Sequence, residues 1–256
     1  MIHDNLPIWT IPIILLALVL LSIELGYRLG RIGVLSFEKE STVSAISGSI
    51  LGLLGFILAF TFSIVYTRYE TRKQLVREEA NAIGTAFQRS DFLADSDRAK
   101  SKTLLKEYID LRLAAAQSRS AQDLQKAISE SESVQKELWN LAVINARKDM
   151  NSDIGALYVE SINELRQIHS NRLAAVVIDR VPTWIWISLY LLLLLGMVSI
   201  GYLNAITSKN RTMSSVILAL SFSIVFFIIL GLDRPLSGIF AVSQQLLVNT
   251  KEMMGK

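Results

Sequence analysis

"FTFSIVYTRYETRKQLVREE", residues 60–79, passes from apolar to charged without a Gly, a Pro or a capping cluster. A helix breaker would normally part a membrane span from the soluble segment beyond it. Its absence predicts one continuous helix that begins in lipid and ends in water. Upstream, Thr42–Thr67 carries no charge, and neither do Leu6–Ile23, Val181–Ser208 and Thr212–Leu232. About 20 mostly apolar residues cross a bilayer, so four transmembrane helices are predicted, the first ending at Glu24. The leading "MIHDNLPIWT" has no Lys or Arg, unlike the basic start of a signal peptide, and the first span is read as retained.

Between the second and third spans, residues 68–181 are rich in charge and free of proline, with glycine only at Gly84 and Gly155. Apolar residues recur there at helical spacing. Four arcs can be traced: Leu75, Val76, Ile83 and Phe87; then Leu104, Leu105, Tyr108 and Leu111; then Leu124, Ile128, Leu138 and Leu141; then Ile154, Leu157, Tyr158, Leu165 and Ile168. "ADSD" at 94–97, "SRSAQD" at 118–123 and "NSD" at 151–153 punctuate them as loops and N-caps. An even number of antiparallel helices returns the chain to the side it left. The fourth runs into Pro182, where the third span starts.

The expected fold is therefore an all-α integral membrane protein. Four transmembrane helices carry an antiparallel four-helix extramembrane stalk inserted between the second and third spans. The expected domains are 1–67, a first span pair; 68–181, the bundle; 182–232, a second span pair; and 233–256, an amphipathic tail. In the tail, Leu236, Ile239, Phe240, Leu246 and Leu247 share a helical face, with Asp233 placed to cap it and Pro235 in its first turn.

Several function classes drop out. Without cysteine there are no disulfides, thiolate metal sites or Cys nucleophiles. Two histidines, His3 and His169, make no metal cluster, and no phosphate loop or nucleophile elbow appears. No enzyme activity, metal or cofactor is expected. Charges of both signs are mixed through the middle of the chain, which leaves no nucleic-acid footprint. The basic cluster Arg68, Arg72, Lys73 and Arg77 after the second span places the stalk and both termini in the cytoplasm. Arg28, Arg31 and Lys39 in one short loop, and Lys209 and Arg211 in the other, argue the opposite way.

Three constellations stand out. Gly48, Gly52, Gly55, Ala59 and Ser63 fall on one face of the second span; such faces let helices approach closely in lipid. They serve either packing within one subunit or a subunit interface or pore wall. Trp184, Trp186 and Tyr190 read as an interfacial belt, and Glu24 with Arg28 as a membrane-edge ion pair. Finally, Glu79 and Arg112 lie inside apolar arcs, equidistant from the turn at residues 95 and 96. In an antiparallel hairpin they meet at one height, which predicts a buried salt bridge joined by Arg72 or Arg172.

"LLGFILAFTFSIVYTRYETRKQLVREEANAIGTAF" (53–87), "LLKEYIDLRL" (104–113) and "LDRPLSGIFAVSQQ" (232–245) resemble a widespread bacterial membrane family commonly labelled bestrophin-like. By that match Arg68, Tyr69, Glu79, Asn81, Gly84, Thr85, Arg112, Asp233, Arg234, Pro235 and Gly238 are characteristic positions. The resemblance implies an oligomeric anion channel of the inner membrane, with lipid and further copies of the chain as its partners. The alternative is a non-catalytic membrane sensor or scaffold whose stalk binds a protein partner or a small ligand.

Overall fold

A computed structural model describes residues 10–32, 39–118, 120–177, 180–207, 213–234 and 240–255. Every regular element among them is helical: α1 (Thr10–Arg31), α2 (Glu40–Arg89), α3 (Asp95–Gln117), α4 (Ala121–Lys148), α5 (Asp153–Val177), α6 (Thr183–Thr207), α7 (Met213–Asp233) and α8 (Gln245–Gly255). A 3-10 turn, Ser90–Phe92, closes α2. Helices α1, α2, α6 and α7 are each long and apolar enough to cross a membrane. The first of them continues past Glu24 to Arg31, and within it Arg28 Nε donates to Glu24 Oε1 at 2.9 Å, which pairs the charge locally. The residues divide into two compact units, 1–69 with 180–241 and 70–179 with 242–256.

In the first unit α1 packs on α6 and α7. Glycines set the closest approach. A Cβ on Gly26 would fall inside the Val198 carbonyl, and one on Gly201 inside the Ile23 carbonyl, so the two backbones touch at a reciprocal crossing. Gly30 faces Ala205 and Tyr202 in the same seam. With no hydrophobic drive between helices in lipid, such contact holds a crossing together. Helix α2 turns Val43, Ser47, Leu54, Leu58, Thr61 and Val65 inward, and Ser47 Oγ lies 2.6 Å from Ser199 Oγ of α6.

The second unit is a heptad bundle. Arg72, Val76, Glu79, Ile83 and Ala86 of α2, with Ser90 of the 3-10 turn that follows, are buried at alternating spacings of four and three. So are Ser101, Leu105, Tyr108, Arg112 and Ala115 of α3, Ala127, Ser131, Val134, Leu138 and Leu141 of α4, and Tyr158, Ile162, Leu165, His169 and Arg172 of α5. This period keeps one seam of each helix facing its neighbours. Short turns join consecutive helices and make them antiparallel. Ser120 caps α4 by accepting from the Asp123 amide at 3.0 Å. Helix α8 adds a fifth member, burying Leu247 and Met254 and pairing Lys251 Nζ with Asp110 Oδ1 at 2.6 Å.

Some details differ from the periodicity. Ile154 and Leu157 of α5 are exposed, and Leu124 and Ile128 of α4 are half-buried. The inward stripe of α5 begins only at Tyr158, since Leu157 is out of phase with it and Ile154 lies in the first turn. Trp186 and Tyr190 do not form a belt with Trp184. Trp186 is buried and Tyr190 stacks on Phe226, ring centroids 5.5 Å apart, while Trp184 is exposed. The tail helix starts at Gln245, with Leu246 exposed. Asp233 stands in the last turn of α7 and its Oδ1 accepts from the Val181 amide at 3.2 Å; the residues it is expected to cap lie outside the described residues. Leu236 and Ile239 lie outside the described residues.

Candidate functional site

The heptad stripes of the bundle carry two polar layers. In one, Ser90, Ser101 and Tyr158 join hydroxyl to hydroxyl at 2.8 Å each. In the other, Glu79 is fully buried and accepts from three side chains. Oε1 accepts from Arg112 Nε at 2.8 Å and from the Tyr108 hydroxyl at 2.7 Å. Oε2 accepts from Arg172 Nη1. Gln135 Nε2 donates to the Tyr108 oxygen at 3.3 Å, His169 Nδ1 lies 2.9 Å from it, and Arg172 Nη2 donates to Gln244 Oε1 at 3.3 Å. Ser90 with Ser101 and Glu79 with Arg112 are symmetric pairs about a point between residues 95 and 96, as antiparallel α2 and α3 require. Arg72 is buried seven residues before Glu79 on the same stripe.

One carboxylate thus ties α2 to α3, α5 and the segment before α8, with α4 held through Tyr108. Burial dominates the electrostatics. It pushes the Tyr108 hydroxyl up to about 12 and brings Arg172 down to about 10. The His169 ring falls to about 4, from burial first and the Arg112 charge second. The hydroxyl therefore stays protonated at neutral pH and the imidazole stays uncharged. Both Arg112 and Arg172 depend on Glu79, and a buried charge is tolerable only when paired. Such an arrangement can fix the register of a bundle. Among the described residues it holds no nucleophile and no second carboxylate for acid–base exchange.

The small-residue face of α2 is the second candidate. Gly48, Gly52, Gly55, Ala59 and Ser63 are all exposed within the chain. A Cβ on Gly48, Gly52 or Gly55 would meet nothing within 4 Å. Each residue of this face lies next to or near a buried one, about 100° round the helix per residue, so α2 packs with one stripe and leaves the neighbouring stripe bare. Close packing within the chain belongs instead to Gly26, Gly30, Gly196 and Gly201. The G-x-x-x-G spacing of Gly26 and Gly30 carries that signal in the sequence. An apolar groove of about 460 Å³ opens beside the bare face, between Gly55, Leu58, Ala59 and Phe62 of α2 and Ser221, Phe222, Val225 and Ile228 of α7.

The family-characteristic positions are scattered. Arg68 is half-buried, and Tyr69 is half-buried against the core of the first unit. Asn81 is exposed, while Thr85 and Gly84 are half-buried, the latter facing Thr250 of α8 across 3.9 Å from its Cβ position. Asp233 and Arg234 are buried at the end of α7. Pro235 and Gly238 lie outside the described residues.

Residues 14–247 match the family model of the Bestrophin-like domain. Among solved structures, the chain is similar to a point mutant of a membrane protein, with TM-score 0.68 and 15% identity, covering 94% of this chain and 96% of that one. It is also similar to a mutant bacterial bestrophin homologue from Klebsiella pneumoniae, with TM-score 0.66 and 13% identity over 94% and 97% of the two chains. At these identities the likeness concerns the fold. No curated protein sequence matches the chain.

Proposed function

The chain belongs to the bestrophin-like family, and on that premise we propose that it is a subunit of an oligomeric anion channel in the bacterial inner membrane. The observation that carries this reading is the bare small-residue face of α2. A lone four-span subunit cannot readily enclose an ion path, and a face suited to close helix approach that meets nothing in its own chain suits a neighbouring subunit or a pore. Reconstituted in planar bilayers, the protein should pass an anion-selective current. Leucine at Gly52 or Gly55 should change the unitary conductance while leaving the subunit folded, since each new side chain enters open space. A monodisperse oligomer that never conducts would reject the channel.

The reading includes an architecture. Residues 1–67 and 182–232 supply the span pairs, residues 68–181 form a stalk reached along α2, and 233–256 are the tail. The stalk and both termini face the cytoplasm, on the strength of the basic cluster Arg68 to Arg77 after the second span. Alkaline phosphatase fused near Ser118 should be inactive and a fluorescent protein fused there should glow. The reverse pattern inverts the topology.

The sensor or scaffold reading draws on a different observation. Ile144, Met150, Ile154 and Leu157 expose apolar side chains around the α4–α5 turn, where a protein partner could seat. A stoichiometric partner recovered from native membranes would favour it over a pure homo-oligomer. In neither reading does the chain act as an enzyme.

A further inference from the structure

We infer that His169 is a proton-operated latch in the bundle core: proton uptake at its Nε2 loosens α5 from α2, α3 and α4. The inference rests on the geometry of the Glu79 layer and stands apart from channel activity.

Hydrogen-bond accounting fixes the tautomer. The Tyr108 hydroxyl has one proton and gives it to Glu79 Oε1. Toward His169 Nδ1 the same oxygen can only accept, so Nδ1 carries the ring hydrogen. The neutral ring then has its lone pair at Nε2. That atom is buried and meets no hydrogen-bond partner among the described residues, and His169 as a whole is 3% exposed. A proton is the smallest species that converts this orphaned acceptor into a donor.

The surroundings oppose that proton as long as the bundle is closed. Tyr108 of α3 lies against the ring and the Arg112 charge acts on it, while the Tyr108 hydroxyl connects it to Glu79 of α2, with Arg72 two turns earlier, and to Gln135 of α4. Arg172 stands one turn along α5, with Gln244 beyond it. The Glu79 charge is already shared by two guanidinium groups. An imidazolium would add a further cation where positive charge exceeds negative. In the open bundle water solvates the ring and the penalty vanishes.

The folded ring titrates at about 4, against 6.5 for an unperturbed histidine. A base whose folded pKa is depressed contributes fully above the unfolded value. That contribution is lost as pH falls from about 6.5 to about 4, because the open state binds more protons in this window. The opening equilibrium should therefore rise about 20-fold between about pH 7 and pH 5, and saturate near 300-fold at lower pH.

Full-length protein in nanodiscs, labelled with 15N at histidine, tests this directly, since the chain has only two histidines and His3 serves as the reference. The expected spectrum shows His169 as the Nδ1–H tautomer at neutral pH, titrating near 4. An Nε2–H tautomer, or titration near 6.5, overturns the inference. Hydrogen exchange of α5 peptides, corrected for intrinsic rate, supplies the second readout. Wild type should show the rise in opening, and His169→Asn should be flat, because its amide keeps a donor near Nδ1 and cannot titrate. A variant with the wild-type slope assigns the acid response to other groups and rejects the latch. Should the variant fail to fold, the tautomer and titration of the wild-type ring decide alone.

Discussion

Glu79→Ala lowers the stability of the helical bundle by about 3–5 kcal/mol. The variant leaves Arg112 and Arg172 buried without their shared carboxylate, and it removes the acceptor of the Tyr108 hydroxyl. Glu79→Gln keeps the shape and one acceptor oxygen but removes the charge, and should fall between alanine and wild type. Glu130→Ala, in the same bundle, breaks an exposed pair with Lys126 at 3.9 Å and should cost less than about 1 kcal/mol. Denaturant-dependent proteolysis of the 70–179 segment in purified full-length protein would rank the three. Equal losses for Glu79→Ala and Glu130→Ala would mean that the charge layer contributes no more than a surface pair. Replacing Glu79, Arg112 and Arg172 together by Leu, Leu and Met should recover much of the loss, since apolar side chains of similar volume often serve as well as a buried ion cluster. What that triple variant should forfeit is a unique register, seen as broadened or doubled resonances.

The second large effect lies in the first unit. Gly26→Leu or Gly201→Leu should abolish the monodisperse folded protein, because the added side chain meets the backbone of the facing helix and not a flexible side chain. Overpacking a core typically costs about 1–3 kcal/mol, and a collision with a helix backbone on both sides of the crossing belongs at or beyond the upper end. Ser188→Leu is the control, since it places the same side chain at an exposed position of α6 away from both the crossing and the small-residue face of α2. Membrane yield and size-exclusion profile in detergent compare the three. A normal profile for Gly201→Leu would refute the close crossing of α1 and α6.

Much of this helical order is legible in the sequence, and the reasons are physical. Uncharged stretches long enough for a bilayer mark the four spans, and a run without Gly or Pro from Phe60 to Glu79 marks α2 as unbroken. The four-three alternation places Glu79 on the buried stripe of α2 and Arg112 on that of α3, so phase alone brings them together. Other features do not emerge from pattern. Gly48, Gly52 and Gly55 show the same small-residue spacing as Gly26 and Gly30, yet only the α1 pair packs within the chain. Spacing says that a face can be approached closely and is silent on what approaches it. Trp186 and Tyr190 are equally ambiguous, since an aromatic ring at a span end can face headgroups or Phe226. The capacity of Asp233 to hold the Val181 amide depends on residues 52 apart in the chain, beyond the reach of any local window. The orphaned Nε2 of His169 likewise emerges only once Tyr108, Glu79 and His169 are brought together.

The bundle is made of one contiguous stretch, 70–179, and a late addition, 242–256. A ribosome finishes the first long before it reaches the second. At about 5–20 residues per second, the 62 residues between them, 180–241, take roughly 3–12 s to synthesise. Throughout that interval α2 to α5 can associate, but the seat of Leu247 is open to water and Arg172 lacks Gln244. The nascent chain must also insert α6 and α7 into the bilayer during the same seconds. Helix α8 therefore acts as a closing piece set after both membrane insertions.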